Sequence, residues 1–308
     1  MTKKIFFTQL LLLLTTALFA QFTNNTITQE VSPKNDIVAI SFDEQEQLWV
    51  GTSYGIYKKE NDTWKTIGQD NMFIRDLHIT PTGEVWAGRL NGGVLKLNND
   101  QWEKSAEATA QSNSANAILT DQSGRTWFAT WNKGLTMFDG EKWHNIDNKN
   151  SELLDKTILS LTVDKNNNLW VGTYRGLSCF DGNKWINFTR DNSQLPNNDI
   201  YALCPAKKNK VWVGTCGGLA LVTTNGIKKT YSFANSGLPS NTILTLVEDH
   251  KNNLWIGTNK GLTKFDGKKW KTYTMENSNL LENRVQTLVV KDKKLYVGTS
   301  LGLSILDL

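Results

Sequence analysis

The sequence predicts an all-β protein, a seven-bladed β-propeller of four-stranded antiparallel blades. Two observations support this fold class. A motif of the form Leu-Trp-Val-Gly-Thr occurs seven times at intervals of 37 to 43 residues, the period of propeller blades. Around each copy, apolar and turn-forming residues follow one another in the same order. The copies are LWVGT (48–52), VWAGR (85–89), TWFAT (126–130), LWVGT (169–173), VWVGT (211–215), LWIGT (254–258) and LYVGT (295–299).

The first twenty residues are predicted to be a secretory signal peptide. Lys3 and Lys4 precede an apolar stretch, and the segment ends on Ala20, a small residue typical of a cleavage site. The stretch is too short for a membrane-spanning helix, and no cysteine follows the predicted cut to carry a lipid anchor. We therefore expect an exported protein, periplasmic or secreted, without membrane insertion after cleavage.

Composition and charge argue against several partners. The predicted signal peptide contains two lysines and no acidic residue, so its removal lowers the formal net charge from +4 to +2. A charge this small argues against nucleic acid or an anionic membrane as a partner. Three cysteines do not make a disulfide scaffold, and we expect three free thiols. Residues 21–308 are expected to form one domain and a monomer.

Each repeat is interpreted as four short strands, here named A to D. In the fourth repeat, strand A is ILSLTVD (158–164), strand B is LWVGT (169–173), strand C is GLSCFD (176–181) and strand D is KWINF (184–188). Asparagine-rich, glycine-containing and Asp-Gly segments form the turns between them. The blades are predicted to start near residues 35, 72, 113, 156, 198, 241 and 283.

The ends of the chain are predicted to complete one blade together. The last repeat reaches only strand C before Leu308, and residues 22–31 precede the first strand A. We expect residues 22–31 to pair with GLSILDL (302–308) as the missing fourth strand. This pairing would close the ring and remove both sheet edges.

Most repeated residues have a structural interpretation. Eleven of the twelve tryptophans lie in strands B and D and are expected to pack between blades. The repeated threonine after glycine is interpreted as a structural hydrogen-bonding group. Asp43, Asp121, Asp164 and Asp249 are interpreted as residues that open the A–B turns.

Catalytic and metal sites are not predicted. His78, His144 and His250 lie in three different blades, without the spacing of a metal site or a Ser-His-Asp arrangement. No catalytic residue, metal ligand or cofactor is assigned, and we do not expect an enzyme.

Candidate ligand-binding residues are those that depart from the repeat near the B–C hairpins. These hairpins and the D–A linkers are expected at one rim, where the channel of a propeller opens. Trp131 lies outside the repeat, and Arg89 replaces the threonine of the other copies in a hairpin with an additional residue. Strand A of the same blade carries Arg75, Asp76 and His78 where others carry small or apolar residues. The predicted ligand-binding set is Trp131, Arg89, Tyr54, Asn91, Asn132, Tyr174, Arg175 and Lys260.

The repeat resembles the two-component-regulator propeller repeat, N-x-I-x-x-L-x-x-D-x-x-x-N-L-W-V-G-T-x-x-G-L-x-x-F-D-G-x-x-W. Residues 158–185 follow this pattern almost throughout, and the resemblance covers residues 22–308. That family forms the periplasmic ligand-sensing part of hybrid sensor kinases, many of which respond to glycans. The resemblance therefore implies a ligand-binding sensor module. We expect a stand-alone propeller without the kinase, so kinase activity is not implied.

Three functions are compatible with these observations. The first is binding of an oligosaccharide or other extended polar ligand, by stacking on Trp131, Tyr54 and Tyr174 beside the cationic residues of the set. The second is an adaptor that binds a protein partner, for example of a signalling system, through the same rim. The third is a lyase of the kind found on some seven-bladed propellers, which needs a general base on the rim. Alternatively, Trp131 covers the loop of a neighbouring blade and has no role in binding.

Overall fold

Seven four-stranded antiparallel sheets make up the protein. The residues described by the computed structural model are 22–25, 36–61, 63–68, 72–105 and 114–308. They contain strands and connecting loops but no helix. Each sheet is one blade with its strands in the order A–B–C–D. The predicted fold class is confirmed, whereas the predicted signal peptide lies outside the described residues.

The strand bounds follow the repeat. Strand A of blades 1 to 7 is β2 (Ile37–Phe42), β6 (Ile74–Ile79), β10 (Ala115–Thr120), β14 (Ile158–Val163), β18 (Ile200–Ala206), β22 (Ile243–Glu248) and β26 (Thr287–Lys291). Strand B is β3 (Leu48–Thr52), β7 (Val85–Arg89), β11 (Thr126–Thr130), β15 (Leu169–Thr173), β19 (Lys210–Thr215), β23 (Leu254–Thr258) and β27 (Lys294–Thr299). Strand C is β4 (Ile56–Glu60), β8 (Gly93–Asn98), β12 (Leu135–Phe138), β16 (Leu177–Phe180), β20 (Leu219–Thr223), β24 (Gly261–Phe265) and β28 (Gly302–Asp307). Strand D is β5 (Thr63–Thr66), β9 (Gln101–Lys104), β13 (Trp143–Ile146), β17 (Trp185–Phe188), β21 (Gly226–Tyr231), β25 (Trp270–Tyr273) and, in blade 7, β1 (Phe22–Asn25).

The A strands form the inner ring of the propeller. Each contacts the A strands of both neighbouring blades, and β26 of blade 7 contacts β2 of blade 1, so the circle is complete. The first residue of an A strand lies opposite the last residue of strand B, as Ile37 does with Thr52. The starts of the A strands therefore lie at the same end as the B–C hairpins and the D–A linkers. We call this end the hairpin rim.

Blade 7 combines strands from both ends of the described chain. β1 pairs antiparallel with β28, in a register that runs from Phe22 opposite Leu306 to Asn25 opposite Leu303. The order of the sheet is therefore β1-β28-β27-β26. This pairing is the ring closure that the sequence predicts, and it covers the backbone edge that β28 would otherwise present. The strand was predicted over residues 22–31, of which 26–31 lie outside the described residues.

Strand B is packed on both faces by neighbouring blades. All five residues of this strand are buried in blades 1, 3, 4 and 6. A side chain at Gly51 would collide with Ile74 of the next blade, and one at Gly214 would collide with Ile243. In these two blades the glycine of the motif is therefore required by the close approach of the next A strand, whereas blade 3 has Ala129 at this position.

The strand B tryptophans are anchored by the aspartates of the A–B turns. In four blades the indole Nε1 donates a hydrogen bond of 2.8–3.0 Å to the aspartate. The pairs are Trp49–Asp43, Trp127–Asp121, Trp170–Asp164 and Trp255–Asp249. The same carboxylates accept backbone N–H groups of their turns, in agreement with their predicted role. One carboxylate thus joins each turn to a residue of the interblade core, a link that sequence analysis did not anticipate.

Blade 2 lacks this anchor, and we expect Thr80→Asp to stabilise the protein. Thr80 takes the place of the aspartate, and the Nε1 of the buried Trp86 has no hydrogen-bond partner among the described residues. Thr80 Oγ1 already accepts the N–H of Glu84, as the aspartates do in their turns. The substitution should raise the free energy of unfolding by about 1–2 kcal/mol, because a buried donor gains a charged acceptor.

Denaturant unfolding measures this gain, and a second substitution identifies its source. In a Trp86→Phe background the indole donor is absent, so Thr80→Asp should give little or no gain. An equal gain in both backgrounds would mean that the new carboxylate acts on another group, such as Lys96, whose Nζ lies over the Trp86 ring.

Candidate functional site

The hairpin rim is built on the repeated threonine of strand B. In six blades its hydroxyl donates to the carbonyl of the hairpin glycine at 2.7–3.1 Å, which confirms the structural interpretation. Five of these hairpins also have the same length, so they share one backbone arrangement and differ mainly in their side chains. Blade 2 is the exception, because Arg89 occupies the place of the threonine.

Exposed apolar side chains are concentrated on the hairpin rim. Among the described residues, six large apolar or aromatic side chains are exposed, and all lie on B–C hairpins or D–A linkers. They are Phe73, Trp131, Tyr174, Phe233, Met275 and Leu301. Apolar residues gathered on one exposed face mark an interaction surface. The rim is therefore the candidate functional site.

Three aromatic side chains of blades 3, 4 and 5 contact one another on this rim. The ring centroid of Trp131, which is 47% exposed, lies 5.9 Å from that of Tyr174, with 83° between the ring planes. Tyr174 lies 6.5 Å from Tyr201, with 89° between their planes. We call Trp131, Tyr174 and Tyr201 the aromatic cluster. Both contacts are edge-to-face, a geometry that aromatic pairs favour, so the cluster is bent rather than flat.

Trp131 lies on a hairpin that is one residue longer than most. Three residues separate Thr130 from Gly134, whereas two separate the corresponding residues in the other threonine-containing hairpins. The N–H of Trp131 donates to the carbonyl of Ser114, and Asn132 is left-handed, with φ of 74°. The sequence predicts an additional hairpin residue in blade 2, and the structure shows that blade 3 has one as well.

A β-bulge positions Tyr201. In blades 1 to 6 the pairing of strands A and B skips the second residue of strand A, and such bulges re-aim a side chain. The skipped residues are Val38, Arg75, Asn116, Leu159, Tyr201 and Leu244. Tyr201 is absent from the predicted set because a bulge does not change the spacing of the apolar residues. The available signal was the change from an aliphatic to a polar or aromatic residue at this position in blades 2, 3 and 5.

Three other predicted residues are exposed on their hairpins. Arg175 follows Tyr174; its side chain is 75% exposed, and its Nε lies 3.7 Å from an oxygen of Asp155. Asn91 has φ of 55°, and its N–H donates to the hydroxyl of Ser114 at 2.9 Å, which connects the hairpin of blade 2 to the residue before strand A of blade 3. Lys260 is exposed on blade 6, two blades away from Tyr174.

Arg89 lies in a cavity beside strand D of its own blade. It lines this cavity, of about 440 Å³, together with Met72 and Trp102. Its Nε is buried without a hydrogen-bond partner among the described residues, and burial lowers the pKa of the guanidinium. A side chain at Gly92 would collide with that guanidinium. No residue of the aromatic cluster is among the described residues that line the cavity.

Tyr54 lines a different cavity, at the junction of blades 7 and 1. We call this cavity, of about 410 Å³, the seam pocket. Its described lining residues are Asp36, Ser53, Tyr54, Arg284, Gln286, Ser300 and Leu301. The predicted ligand-binding residues are therefore distributed over several places on the rim and are not gathered in one.

The polar residues of strand A in blade 2 join blades 2 and 3. The carboxylate of Asp76 accepts the N–H of Ile118 at 2.6 Å, and the Nε2 of His78 lies 2.9 Å from the hydroxyl of Thr120. Burial raises the pKa of Asp76 to about 6 and lowers the pKa of His78 to about 4. These two departures from the repeat form interblade contacts, whereas Arg75 of the same strand is exposed.

The three cysteines are free thiols. Cys179 and Cys204 are buried, and burial raises the pKa of each to about 12, which disfavours the reactive thiolate. Cys216 is half-buried on the rim of blade 5, where its thiol donates to an oxygen of Asp199 at 3.4 Å. Within the described parts of the chain, no group of three His, Cys, Asp or Glu residues is placed to hold a metal ion.

Comparison with known proteins identifies the type of repeat. Three segments, residues 152–175, 194–217 and 237–260, match the model of the two component regulator propeller family. Each match runs from a D–A linker through strands A and B to the following hairpin. The resemblance seen in the sequence is thereby confirmed. A comparison with curated proteins found no match.

Solved structures that share the fold include extracellular domains of bacterial sensors. The chain is similar to the extracellular domain of a hybrid two component system of B. thetaiotaomicron, with 22% identity and a TM-score of 0.82 over 94% of this chain and 41% of that chain. A second such domain from the same organism has 22% identity and a TM-score of 0.76, over 93% and 40% of the two chains. Virginiamycin B lyase from Staphylococcus aureus has 13% identity and a TM-score of 0.73, over 94% and 99%.

At these identities the structural likeness shows the fold alone. The chain spans about two fifths of the length of the two sensor chains. A membrane-crossing helix, long and apolar enough to span a bilayer, is not found in the described segments. The sheet topology shows that the chain is a seven-bladed β-propeller, and three of its repeats match the two component regulator propeller model.

Proposed function

We propose that the protein is an exported binding module, not an enzyme, that takes an oligosaccharide on the aromatic cluster. The observation that carries this proposal is the contact of Trp131, Tyr174 and Tyr201 across three blades on the rim where the exposed apolar side chains gather. Aromatic faces pack against the apolar faces of sugar rings, and polar groups beside them fix the orientation. The family match and the extracellular sensor domains among the similar structures support a sensing role outside the cytoplasm.

The ring planes favour a bent glycan over a flat one. Neighbouring planes in the cluster meet at 83° and 89°. A flat ribbon, such as a cello-oligosaccharide, presents its sugar faces in one plane and cannot stack on two neighbouring rings of this cluster. A malto- or laminari-oligosaccharide turns along its length, so successive sugars meet at an angle. We therefore expect turning glycans to bind more tightly than flat ones.

Polar contacts to such a ligand are expected from the residues next to the cluster. Arg175 adjoins Tyr174 and carries an exposed guanidinium, which donates hydrogen bonds in a fixed fork. Asn132 adjoins Trp131 on the same hairpin and is exposed. The other residues of the predicted set lie on other blades or in other cavities, and we expect them to contribute less to this ligand.

Calorimetry with cello-, malto- and laminari-oligosaccharides tests the proposal. Trp131→Ala and Tyr174→Ala should each weaken binding about tenfold or more, the usual cost of removing an aromatic anchor. Phe233→Ala is the matched control, because Phe233 is 63% exposed on the rim of blade 5 but lies outside the cluster. A preference for flat glycans, or unchanged affinity in both cluster variants, would place the ligand elsewhere.

A second candidate function is protein binding on blades 5 and 6, for example to a partner of a signalling system. Phe233 and Met275 occupy equivalent places after strand D and are 63% and 50% exposed. Their N–H groups donate to the side chains of Asn241 and Asn283 at 2.7 and 2.8 Å, which holds the backbone in place. Rigid, exposed apolar residues are typical anchors of protein interfaces.

Site-specific photo-crosslinking in cells tests this second function. A cross-linking residue at position 233 should capture a protein partner that the same residue at position 190, the equivalent place in blade 4, does not capture. Capture from both positions alike would indicate non-specific proximity and would remove support for a docking role.

A further inference from the structure

The seam pocket places opposite charges at equivalent positions of neighbouring blades. Asp36 directly precedes Ile37, the first residue of strand A in blade 1. Arg284 directly precedes Val285, which is the counterpart of Ile37 in blade 7. Both side chains line the same cavity of about 410 Å³. This volume lies within the range of small-molecule sites. The pocket opens on the hairpin rim, between the hairpins of blades 7 and 1, and shares no residue with the aromatic cluster.

The walls of the seam pocket are held by hydrogen bonds, one of which crosses between blades 7 and 1. The carboxylate of Asp36 accepts from the hydroxyl of Ser53 on blade 1 and from the side-chain amide of Gln286 on blade 7. On the facing hairpin, the N–H and the hydroxyl of Ser300 both donate to Glu282, at 3.0 and 2.6 Å. The polar groups are therefore positioned before a ligand arrives, which lowers the entropy cost of binding.

Asp36 and Arg284 do not form an ion pair with each other. Among the described residues, neither Arg284 nor Asp36 takes part in an ion pair. A simple anion would satisfy Arg284 but approach the carboxylate of Asp36, and a simple cation would meet the reverse problem. A molecule that carries both an ammonium and a carboxylate satisfies both groups at once.

We propose that the seam pocket binds a small zwitterion of the α-amino acid type. Its carboxylate pairs with the guanidinium of Arg284, whose fork of donors matches a carboxylate. Its ammonium group is held by Asp36. Its side chain lies against Tyr54 and Leu301, the latter 53% exposed at the edge of the pocket. This site is independent of the glycan proposed for the aromatic cluster.

Thermal-shift and calorimetric measurements with free α-amino acids test the proposal. For an amino acid that binds, the N-acetyl derivative lacks the ammonium and the carboxamide derivative lacks the carboxylate. Each derivative should bind about tenfold or more weakly, since each loses one charged hydrogen-bonded contact. If no free amino acid binds, or if a derivative binds as well as its parent, the proposal is overturned.

Two substitutions locate the binding in the seam pocket. Arg284→Gln should weaken binding of the amino acid about tenfold or more. It should weaken binding of the carboxamide derivative much less, because that derivative has no carboxylate to pair with Arg284. Arg175→Gln removes another exposed arginine, from the rim of blade 4, and should leave amino acid affinity unchanged. Trp131→Ala should also leave it unchanged, so failure of the glycan proposal and failure of this one are distinguishable. Equal loss in Arg284→Gln and Arg175→Gln would show that rim charge, not the pocket, is responsible.

Discussion

Deletion of residues 21–32 is expected to produce a protein that aggregates or unfolds at a much lower temperature. The deletion removes β1, whose four residues form the outer strand of blade 7 and pair with β28. Without β1, the backbone edge of β28 is open to pairing with other chains, and the two ends of the ring are no longer joined within one sheet. Size-exclusion chromatography with light scattering and thermal unfolding measure both consequences.

A peptide added in trans distinguishes loss of the strand from general damage. A synthetic peptide of residues 21–32 restores the missing partner of β28 and should raise the melting temperature of the deletion variant. A peptide with the same composition in scrambled order should not do so. A deletion variant that is monomeric and melts with the wild type would refute the role of β1 in ring closure.

Trp127→Ala is expected to lower the free energy of unfolding by about 3–5 kcal/mol, as large core truncations do. Trp127 is 1% exposed, and its Nε1 donates to Asp121 at 2.8 Å. The substitution leaves a cavity between blades and removes a donor from a buried carboxylate. Trp127→Phe keeps most of the ring volume and should cost clearly less than the alanine variant. Equilibrium unfolding in denaturant provides the values.

Trp131→Ala is the matched comparison, only four residues away. Because Trp131 is 47% exposed on a hairpin, its truncation should change the free energy of unfolding by only about 0.5 kcal/mol. Similar losses for Trp127→Ala and Trp131→Ala would mean that Trp131 serves as a core residue. The alternative in which it covers a neighbouring loop would then be preferred over a role in binding.

Much of the fold could be predicted because the same contacts recur in most blades. The spacing of the strand B tryptophans indicates the blade period, and Gly51 and its counterparts mark where the next A strand approaches. The chain ends could be assigned to one blade because the last repeat supplies only strands A to C, so the seventh blade needs a strand D from the other end of the chain. Each local pattern is weak evidence alone, but its sevenfold occurrence indicates the number of blades and the strands of each blade.

The candidate site could be predicted only in part. The exposure of Trp131 and Tyr174 follows from their place on hairpins, which the repeat defines. Their contact, and the third ring of Tyr201, could not be predicted, because a bulge re-aims a side chain without altering the sequence pattern. The position of the Arg89 side chain could not be predicted either, because the cavity that it lines with Trp102 forms only when the strands pack.

The sequence by itself therefore determined the number of blades, their strands and the residues that depart from the repeat. Only the tertiary structure decided which of those departures are neighbours. Asp36 and Gln286 are 250 residues apart in the chain and in contact across the seam. The physical reason is that a periodic sequence pattern indicates only the contacts that the repeats have in common. A binding site consists of positions that differ between repeats, and those positions come together only through the packing of neighbouring blades and, at the seam, through closure of the ring.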